Sequence, residues 1–570
     1  MNERLSKFES ERKSLYKKLE KIGDFRRGTI SVNYRKCGKK NCACAKPGHP
    51  GHGPQYLWST TIKGKSYARN LRLGPELKKY MEDTENYRRF LKLYDEIVLL
   101  NEKICDLRPV PDIEDKDEAE GLKKKLPDAL QHEIQKETDR IVSLSFRDRD
   151  DHIDLEALEF HIRSSMHHIG SIMLEKMVNA DKGDCRGNTI PCEKGHNFEF
   201  KEYRDKKLLT VLGPVTLKRA YYFDRVCKKG YSPKDVVLDV VGTSFSPGVR
   251  RIMGRVGAYR PFGLGHDDIK EMAGICVDAK EIERTSHRLG TDIGEFYRKE
   301  AGPFLSGKVV PIQSASRMYV CIDGTGIPVV KAETEGRKGK DGHAKTREVK
   351  LGCVFTQTDL DKKGYPVRDE SSTSYVGAIE TANAFGKRIY AEALSRGLEN
   401  AQKSVVIGDG APWIWNIADE QFYGAIQIID LYHAREHYWS VARAVFGCDK
   451  EAIKAWTDER RSQLNQGKVE QVIEAIENLL SFTEDEKELL KREIGYFEKN
   501  KKRMRYNQFR RQGLFVGSGV VEAGCRAVIG QRLKQSGMHW SVRGANNIIA
   551  LRCCILSNRW EDFWEYRACG

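Results

Sequence analysis

Three acidic residues stand where their surroundings are otherwise apolar or basic. Asp323 follows the apolar run at 320–322, and Asp409 closes the run at 404–408. A carboxylate set against an apolar strand is costly unless a partner satisfies it. The glycines that follow, Gly324 and Gly410, permit a turn and the close approach of a ligand. For either Asp alone, capping of the next turn or helix is the competing reading. Glu522 follows the GSG at 517–519 and is the single acid among ten lysines and arginines between positions 501 and 543. It either pairs with Arg526 one helical turn on or binds a metal. Three carboxylates can hold two Mg²⁺ ions about 4 Å apart, one to activate water or a 3′-hydroxyl and one to stabilise the leaving oxygen of an in-line phosphoryl transfer.

The elements that must position these acids are legible between 315 and 430. MYVCIDGTGIPVV, REVKLGCVFTQTDL and YPVRDESSTSYVG read as three strands, followed by an amphipathic helix over 379–396. SVVIGDG and AIQIIDLYH are buried strands separated by the helix PWIWNIADEQF. Strand–strand–strand–helix–strand–helix–strand is the order of a ribonuclease H-like core, so the fold class expected is α/β and multidomain. Residues 433–508 carry a helical pattern without strand signal and read as an insertion that delays Glu522.

The expected organisation has seven parts. A zinc-finger-like basic module with flanking helices occupies 1–110, and a charged linker with Pro109, Pro111 and the acidic run EDKDEAE occupies 111–150. A helical and β-rich cysteine-containing module spans 151–240, and a helix-turn-helix spans 241–305. The core occupies 310–432, the helical insertion 433–510, and core completion 511–570. The apolar stripe Phe90, Leu93, Ile97 and Leu100 in the helix at 74–107 suggests a packing face and a dimer seam.

The net charge of +16 on 570 residues points to a polyanionic partner such as nucleic acid. No apolar run approaches the roughly 20 residues that cross a bilayer, so no membrane association is expected. Fifteen cysteines, several in apolar runs (Cys321, Cys353, Cys553, Cys554), fit a reducing, cytoplasmic setting better than a disulfide scaffold.

The segments CIDGTGIPVV, VIGDGAPWIWN, DLYHAREH and GSGVVEAGCRAVIGQRLKQSGMHWS resemble the motifs of bacterial insertion-sequence transposases. The similarity is to Mutator-like DDE enzymes with a helical insertion, nearest the ISKra group, and covers roughly residues 150–565. It implies a catalytic, Mg²⁺-binding triad of Asp323, Asp409 and Glu522. It also implies an Asp-x-x-His pair, Asp430 and His433, read as active-site support or substrate positioning; Arg526, one turn beyond Glu522, is read as a further active-site support. The implied partner is double-stranded DNA, the element's ends and its target, bound by a homodimer or larger assembly. Two rival readings stay open. One is a retired transposase acting as a DNA-binding regulator. The other is a zinc peptidase through H-x-x-E-H at His433, Glu436 and His437.

Candidate binding residues follow from the same segments. FGLGHDDIKEMAGICVDAKEIERTSHRLG reads as helix, Gly274 turn, helix, with Lys280, Glu283, Arg284, Ser286, His287 and Arg288 on the accessible faces of a recognition helix over about 279–289. Arg510, Arg511, Arg532 and Lys534 suit phosphate contacts. Trp413 and Trp540 are candidates for contact with bases, and of Trp413 and Trp415 at least one is expected in the core. Cys37, Cys42 and Cys44, with His49 or His52, have the donors of a structural Zn²⁺ site amid basic residues. That region resembles a small uncharacterised domain found beside mobile-element genes. Cys185, Cys192, His196 and Cys227 bracket a β segment where related transposases carry paired cysteines. Here the second pair is reduced to Cys227, with Asp224 where another Cys could stand. A degraded site and a four-ligand mixed site are both open, and the degraded one is favoured.

Overall fold

The computed structural model describes residues 2–35, 42, 46, 51–62, 65–107, 128–145, 154–180, 184–307, 315–339, 342–481 and 483–569. The chain divides into two compact units, Met1–Pro127 and Asp128–Gly570. The division falls within the stretch read as a linker at 111–150. That stretch is not all linker, because Asp128–Ser145 is a helix of 18 residues. Leu130, Ile134 and Ile141 carry its helical spacing.

In the first unit, α1 (Asn2–Glu20) packs against α2 (Pro75–Leu107). Between them β1 (Thr29–Arg35), β2 (His52–Ile62) and β3 (Lys65–Leu71) form an antiparallel sheet in that order. Of the stripe on α2, Ile97 and Leu100 are buried, and Phe90 and Leu93 are half-buried. The stripe is a packing face within the unit.

The second unit opens with α3 (Asp128–Ser145) and α4 (Leu155–Val178). A four-stranded antiparallel sheet follows in chain order, β4 (Thr189–Pro191), β5 (Asn197–Thr210), β6 (Gly213–Asp224) and β7 (Lys229–Tyr231). After a five-residue helix at Pro233–Val237 come three longer ones, α5 (Pro247–Tyr259), α6 (Phe262–Ala273) and α7 (Ala279–Leu305). Gly274 ends α6 in the left-handed region at φ 67°, as a helix–turn–helix connection requires. The second helix runs to Leu305 rather than stopping near 289, because Leu289, Gly290 and Ile293 continue its buried face. Gly290 allows a close helix crossing: a Cβ there would lie 2.2 Å from the Asn547 carbonyl oxygen.

The central sheet has the order β10-β9-β8-β11-β12. Its strands are β8 (Arg317–Pro328), β9 (Thr346–Gln357), β10 (Ser374–Ala378), β11 (Lys403–Gly408) and β12 (Ile426–Ile429). The first three pair antiparallel, whereas β11 runs parallel to β8 and β12 parallel to β11. Parallel neighbours need a crossover. The amphipathic helices α8 (Ala382–Ser395) and α9 (Pro412–Gln421) supply it. Residues 318–322 and 405–407 are fully buried, which explains why these strands read as unbroken apolar runs.

After β12 the chain enters the helical insertion, α10 (Leu431–Phe446), α11 (Lys450–Asn465), α12 (Val469–Glu477), α13 (Glu484–Asn500) and α14 (Tyr506–Arg511). It returns through α15 (Gly519–Gly524), which passes through a π-helical turn at Cys525–Gly530 and continues to Leu533. The chain closes with α16 (Val542–Leu556) and α17 (Trp560–Cys569).

Two buried arginines fasten this closing segment to α5. Arg552 donates to the Val528 carbonyl at 2.7 Å and to the carbonyls of Ala258 and Ala527. Arg532 donates to the Gly257 carbonyl at 3.0 Å and lies between the Phe262 and Trp540 rings. The assignment of Arg532 and Trp540 to DNA contact is therefore corrected. Arg532 is fully buried, and Trp540 is buried with its indole N–H on the Leu533 carbonyl. Both are structural. Removing the Arg552 guanidinium leaves three carbonyls without their donor, so Arg552→Ala is expected to lower unfolding free energy by about 3 kcal/mol or more. Arg510→Ala, at an exposed site, is expected to shift it by less than about 0.5 kcal/mol. Denaturant unfolding of the full chain followed by tryptophan fluorescence checks this, and equal midpoints for the two variants would contradict it.

Candidate functional site

Pairing in the central sheet decides which acids meet. Cys321 on β8 is level with Ile407 on β11, so two residues on, Asp323 is level with Asp409. Asp323 lies within β8, opposite Leu351 of β9, and Gly324 continues the strand instead of turning. The turn falls at the other acid. Gly410 has φ 105°, and a Cβ there would come within 2.6 Å of the Tyr496 ring. The Asp409 carboxylate caps this turn by accepting from the Ala411 N–H at 2.9 Å, and the Asp409 carbonyl accepts from the Tyr496 hydroxyl at 2.9 Å.

The Asp323 carboxylate accepts from the Gly324 N–H at 2.7 Å and the Cys525 thiol at 3.1 Å. Burial pushes its pKa above the ordinary carboxylate value, and the Asp409 charge adds to the rise, against the lowering by those two hydrogen bonds. Burial and the Asp323 charge push the Cys525 thiol up as well, so it remains a donor. A desolvated carboxylate beside a second one is a place where a cation lowers the energy.

A second group stands at the end of β12. Asp430 is fully buried and caps α10, accepting from the Tyr432 N–H at 2.7 Å and the His433 N–H at 2.8 Å. It also accepts from the Ser518 N–H, and the His433 Nδ1 lies 3.4 Å away. Burial pushes the Asp430 carboxyl up, but the bonds from His433 and Ser518 outweigh it and hold it below its ordinary value. The bond to Asp430 raises the His433 imidazole to about 9 against the opposing effect of burial, so it is cationic at neutral pH. Glu522 comes 3.9 Å from the same Nδ1, and ligand atoms of Asp430, His433 and Glu522 lie within 4.8 Å of one another. These three could hold a metal ion; Asp323 and Asp409 stand outside that group. The two groups are joined through α15 and its π turn, which carry Glu522 toward His433 and Cys525 onto Asp323.

The remaining predicted residues fall into three sets. Lys280, Arg284, Arg288, Arg510, Arg511 and Lys534 are exposed. Lys280 pairs with Glu283 and Arg284 with Glu281, while Lys534 donates to the Thr325 hydroxyl at 2.6 Å, two residues beyond Asp323. Ser286 is buried on the inner face of α7, contrary to its expected accessibility. Trp413 is half-buried with the Lys350 ammonium over its ring at 4.9 Å, and Trp415 is the core member of that pair. Arg526 is exposed, and among the described residues no ion pair joins it to Glu522, which turns to His433 instead. His437 bonds Glu493 and stacks on Tyr496, so the histidines of H-x-x-E-H take separate partners and form no common ligand set. In the first unit, the Cys42 Sγ lies 2.9 Å from the His52 Nε2, while Cys37, Cys44 and His49 lie outside the described residues.

Sequence reasoning missed Cys525, Tyr496 and Ser518. Cys525 had a local signal, since it stands one turn after Glu522 on the same helix. Tyr496 had none: it reaches Asp409 across 87 positions.

Asp430 anchors three backbone N–H groups in a buried setting, so Asp430→Ala is expected to cost about 2–4 kcal/mol of stability. It should also increase amide hydrogen exchange at Ser518 and through 519–524. Unchanged exchange there would show that Asp430 does not hold the returning helix.

A family described as a domain of unknown function (DUF6788) matches residues 5–79. No curated protein matches the chain. The matched segment lies in the first unit and does not include the central sheet or any of the acids at its edge.

Proposed function

We propose that the protein is a DNA transposase of the DDE type, with a ribonuclease H-like core interrupted by a helical insertion. The observation that carries this reading is the register of β8 with β11. It sets Asp323 and Asp409 side by side at one edge of a sheet with two antiparallel and two parallel pairings in the order β10-β9-β8-β11-β12. The returning helix then brings Glu522 to the same edge by way of Cys525 on Asp323. A desolvated carboxylate, Asp323, beside the Asp409 charge suits a hard divalent cation such as Mg²⁺. Asp323, Asp409 and Glu522 would hold it, and when bound it supplies Lewis-acid charge stabilisation at the phosphoryl group.

The chain's own residues do the rest. Tyr496 fixes the Asp409 backbone, and burial together with the Asp409 charge raises its phenol so that it stays a donor. Cationic His433, beside Glu522, and exposed Lys534, on Thr325, offset phosphate charge near the acids. Lys280, Arg284 and Arg288 on α7 and Arg510 and Arg511 on α14 offer exposed charge to a duplex. Recognition of terminal inverted repeats by α6 and α7, and pairing of two ends by an oligomer, complete the reading.

Asp323→Asn keeps the side-chain shape and removes the charge. It is expected to reduce Mg²⁺-dependent strand cleavage by at least about 1000-fold, equivalent to about 4 kcal/mol of barrier, while leaving gel-shift affinity for the DNA ends intact. Asp409→Asn and Glu522→Gln should behave alike, and pairs should not be additive. His437→Ala should retain substantial cleavage, which a zinc peptidase or an enzyme ligated by His437 would not. Near-normal cleavage by Asp323→Asn would overturn the triad. Binding without cleavage by the unaltered protein would instead identify a retired, regulatory chain.

A further inference from the structure

The β-rich module preceding α5 contains a second cluster that the reading of the sheet edge does not use. The turn joining β4 to β5 carries Cys192 and His196, and the turn joining β6 to β7 follows Asp224 and carries Cys227. Antiparallel pairing of β5 with β6 brings both turns to one end of the sheet. The Cys192 N–H donates to the His196 carbonyl at 2.7 Å, which folds the first turn back on itself. Gly195, at φ 80°, allows that turn.

We propose that Cys192, His196, Asp224 and Cys227 form an intact structural zinc site with a mixed two-thiolate, imidazole and carboxylate donor set. The Sγ atoms of Cys192 and Cys227 are 3.9 Å apart. Tetrahedral zinc with Zn–S near 2.3 Å separates two thiolates by about 3.8 Å. The His196 Nδ1 is 3.2 Å from the Cys227 Sγ and 3.7 Å from the Asp224 Oδ2. The corresponding separations across a zinc ion are about 3.6 and 3.3 Å. The four ligand atoms all lie within 4.8 Å of one another.

Asp224 is what distinguishes an intact site from a degraded one. Its side chain is 1 % exposed. Oδ1 is occupied by the Val226 and Cys227 N–H groups at 2.8 and 3.0 Å. Oδ2 is buried and accepts no well-formed hydrogen bond; it faces the His196 imidazole at 3.7 Å and the Cys192 and Cys227 thiols. A buried carboxylate oxygen so placed is costly unless a cation takes it. The site also answers a structural need. β4 and β7 are three residues long, too short to hold the sheet's ends by ladder bonds alone, and a metal cross-linking both turns ties them.

The test uses the full chain purified without chelator. In the unaltered protein, Cys192 and Cys227 are expected to alkylate at least about tenfold more slowly before a strong chelator is added than after, because bound thiolates are shielded. Peptide mass spectrometry reads the two residues separately from Cys37, Cys42 and Cys44. Elemental analysis should show one zinc fewer per chain in Asp224→Ala and Cys227→Ser, and the full content in Asp224→Cys, which restores a soft fourth ligand. Alkylation rates that do not change with chelator would overturn the proposal, whether the thiols are free or joined as a disulfide. Zinc content unchanged in both loss-of-ligand variants would overturn it as well.

Discussion

The edge of the central sheet depends on the burial of one charge, the Asp430 carboxylate. A carboxylate fully removed from water costs several kcal/mol unless hydrogen bonds replace its hydration. Here the N–H groups of Tyr432, His433 and Ser518 do so, with the His433 imidazole beside them. The first two are the orphan donors of the α10 N-terminus, where the helix dipole favours a negative charge. The third belongs to the chain returning from the insertion, 88 positions later. The Leu431 N–H donates to the Val516 carbonyl at 3.0 Å and reinforces the same joint. Exit and re-entry of the helical insertion are thus tied at one buried point, and the helix that starts just after Ser518 has its origin fixed.

That constraint carries into the chemistry. With its start fixed, α15 lays Cys525 on Asp323 and turns Glu522 toward His433. The π-helical turn beginning at Cys525 widens the spiral directly after these residues. Such turns often accompany functional positions on helices. The insertion contributes a second tie, since Tyr496 of α13 holds the Asp409 carbonyl at the turn that Gly410 makes possible. The helical insertion is therefore part of the positioning of the acids.

The strands and helices of the α/β part were legible because each periodicity was clean. Apolar runs gave β8, β9, β11 and β12, and amphipathic spacing gave α8 and α9. Asp323 and Asp409 stood out as acids against apolar strands, and the sheet places them level with each other. Charge alone misled at Arg532. A guanidinium in a basic stretch reads as a phosphate contact, yet this one satisfies the Gly257 carbonyl 275 positions away. Trp540 misled for the same reason, since aromatic character does not reveal which rings surround it. The helix at Asp128–Ser145 was obscured by the acidic run before it. The contact of Asp224 with His196 is created by strand register, which spacing along the chain does not show, so the sequence left a degraded and a mixed site both open.

In the proposed triad, Asp323, Asp409 and Glu522 together hold the divalent cation. Crystals of the full chain grown with duplex DNA and Mn²⁺ test it most directly, through anomalous scattering from the metal. Anomalous density is expected in contact with the Asp323 and Asp409 carboxylates and with Glu522, and is expected to be lost in Asp323→Asn. Metal found only among Asp430, His433 and Glu522, with none on Asp323 or Asp409, would contradict it.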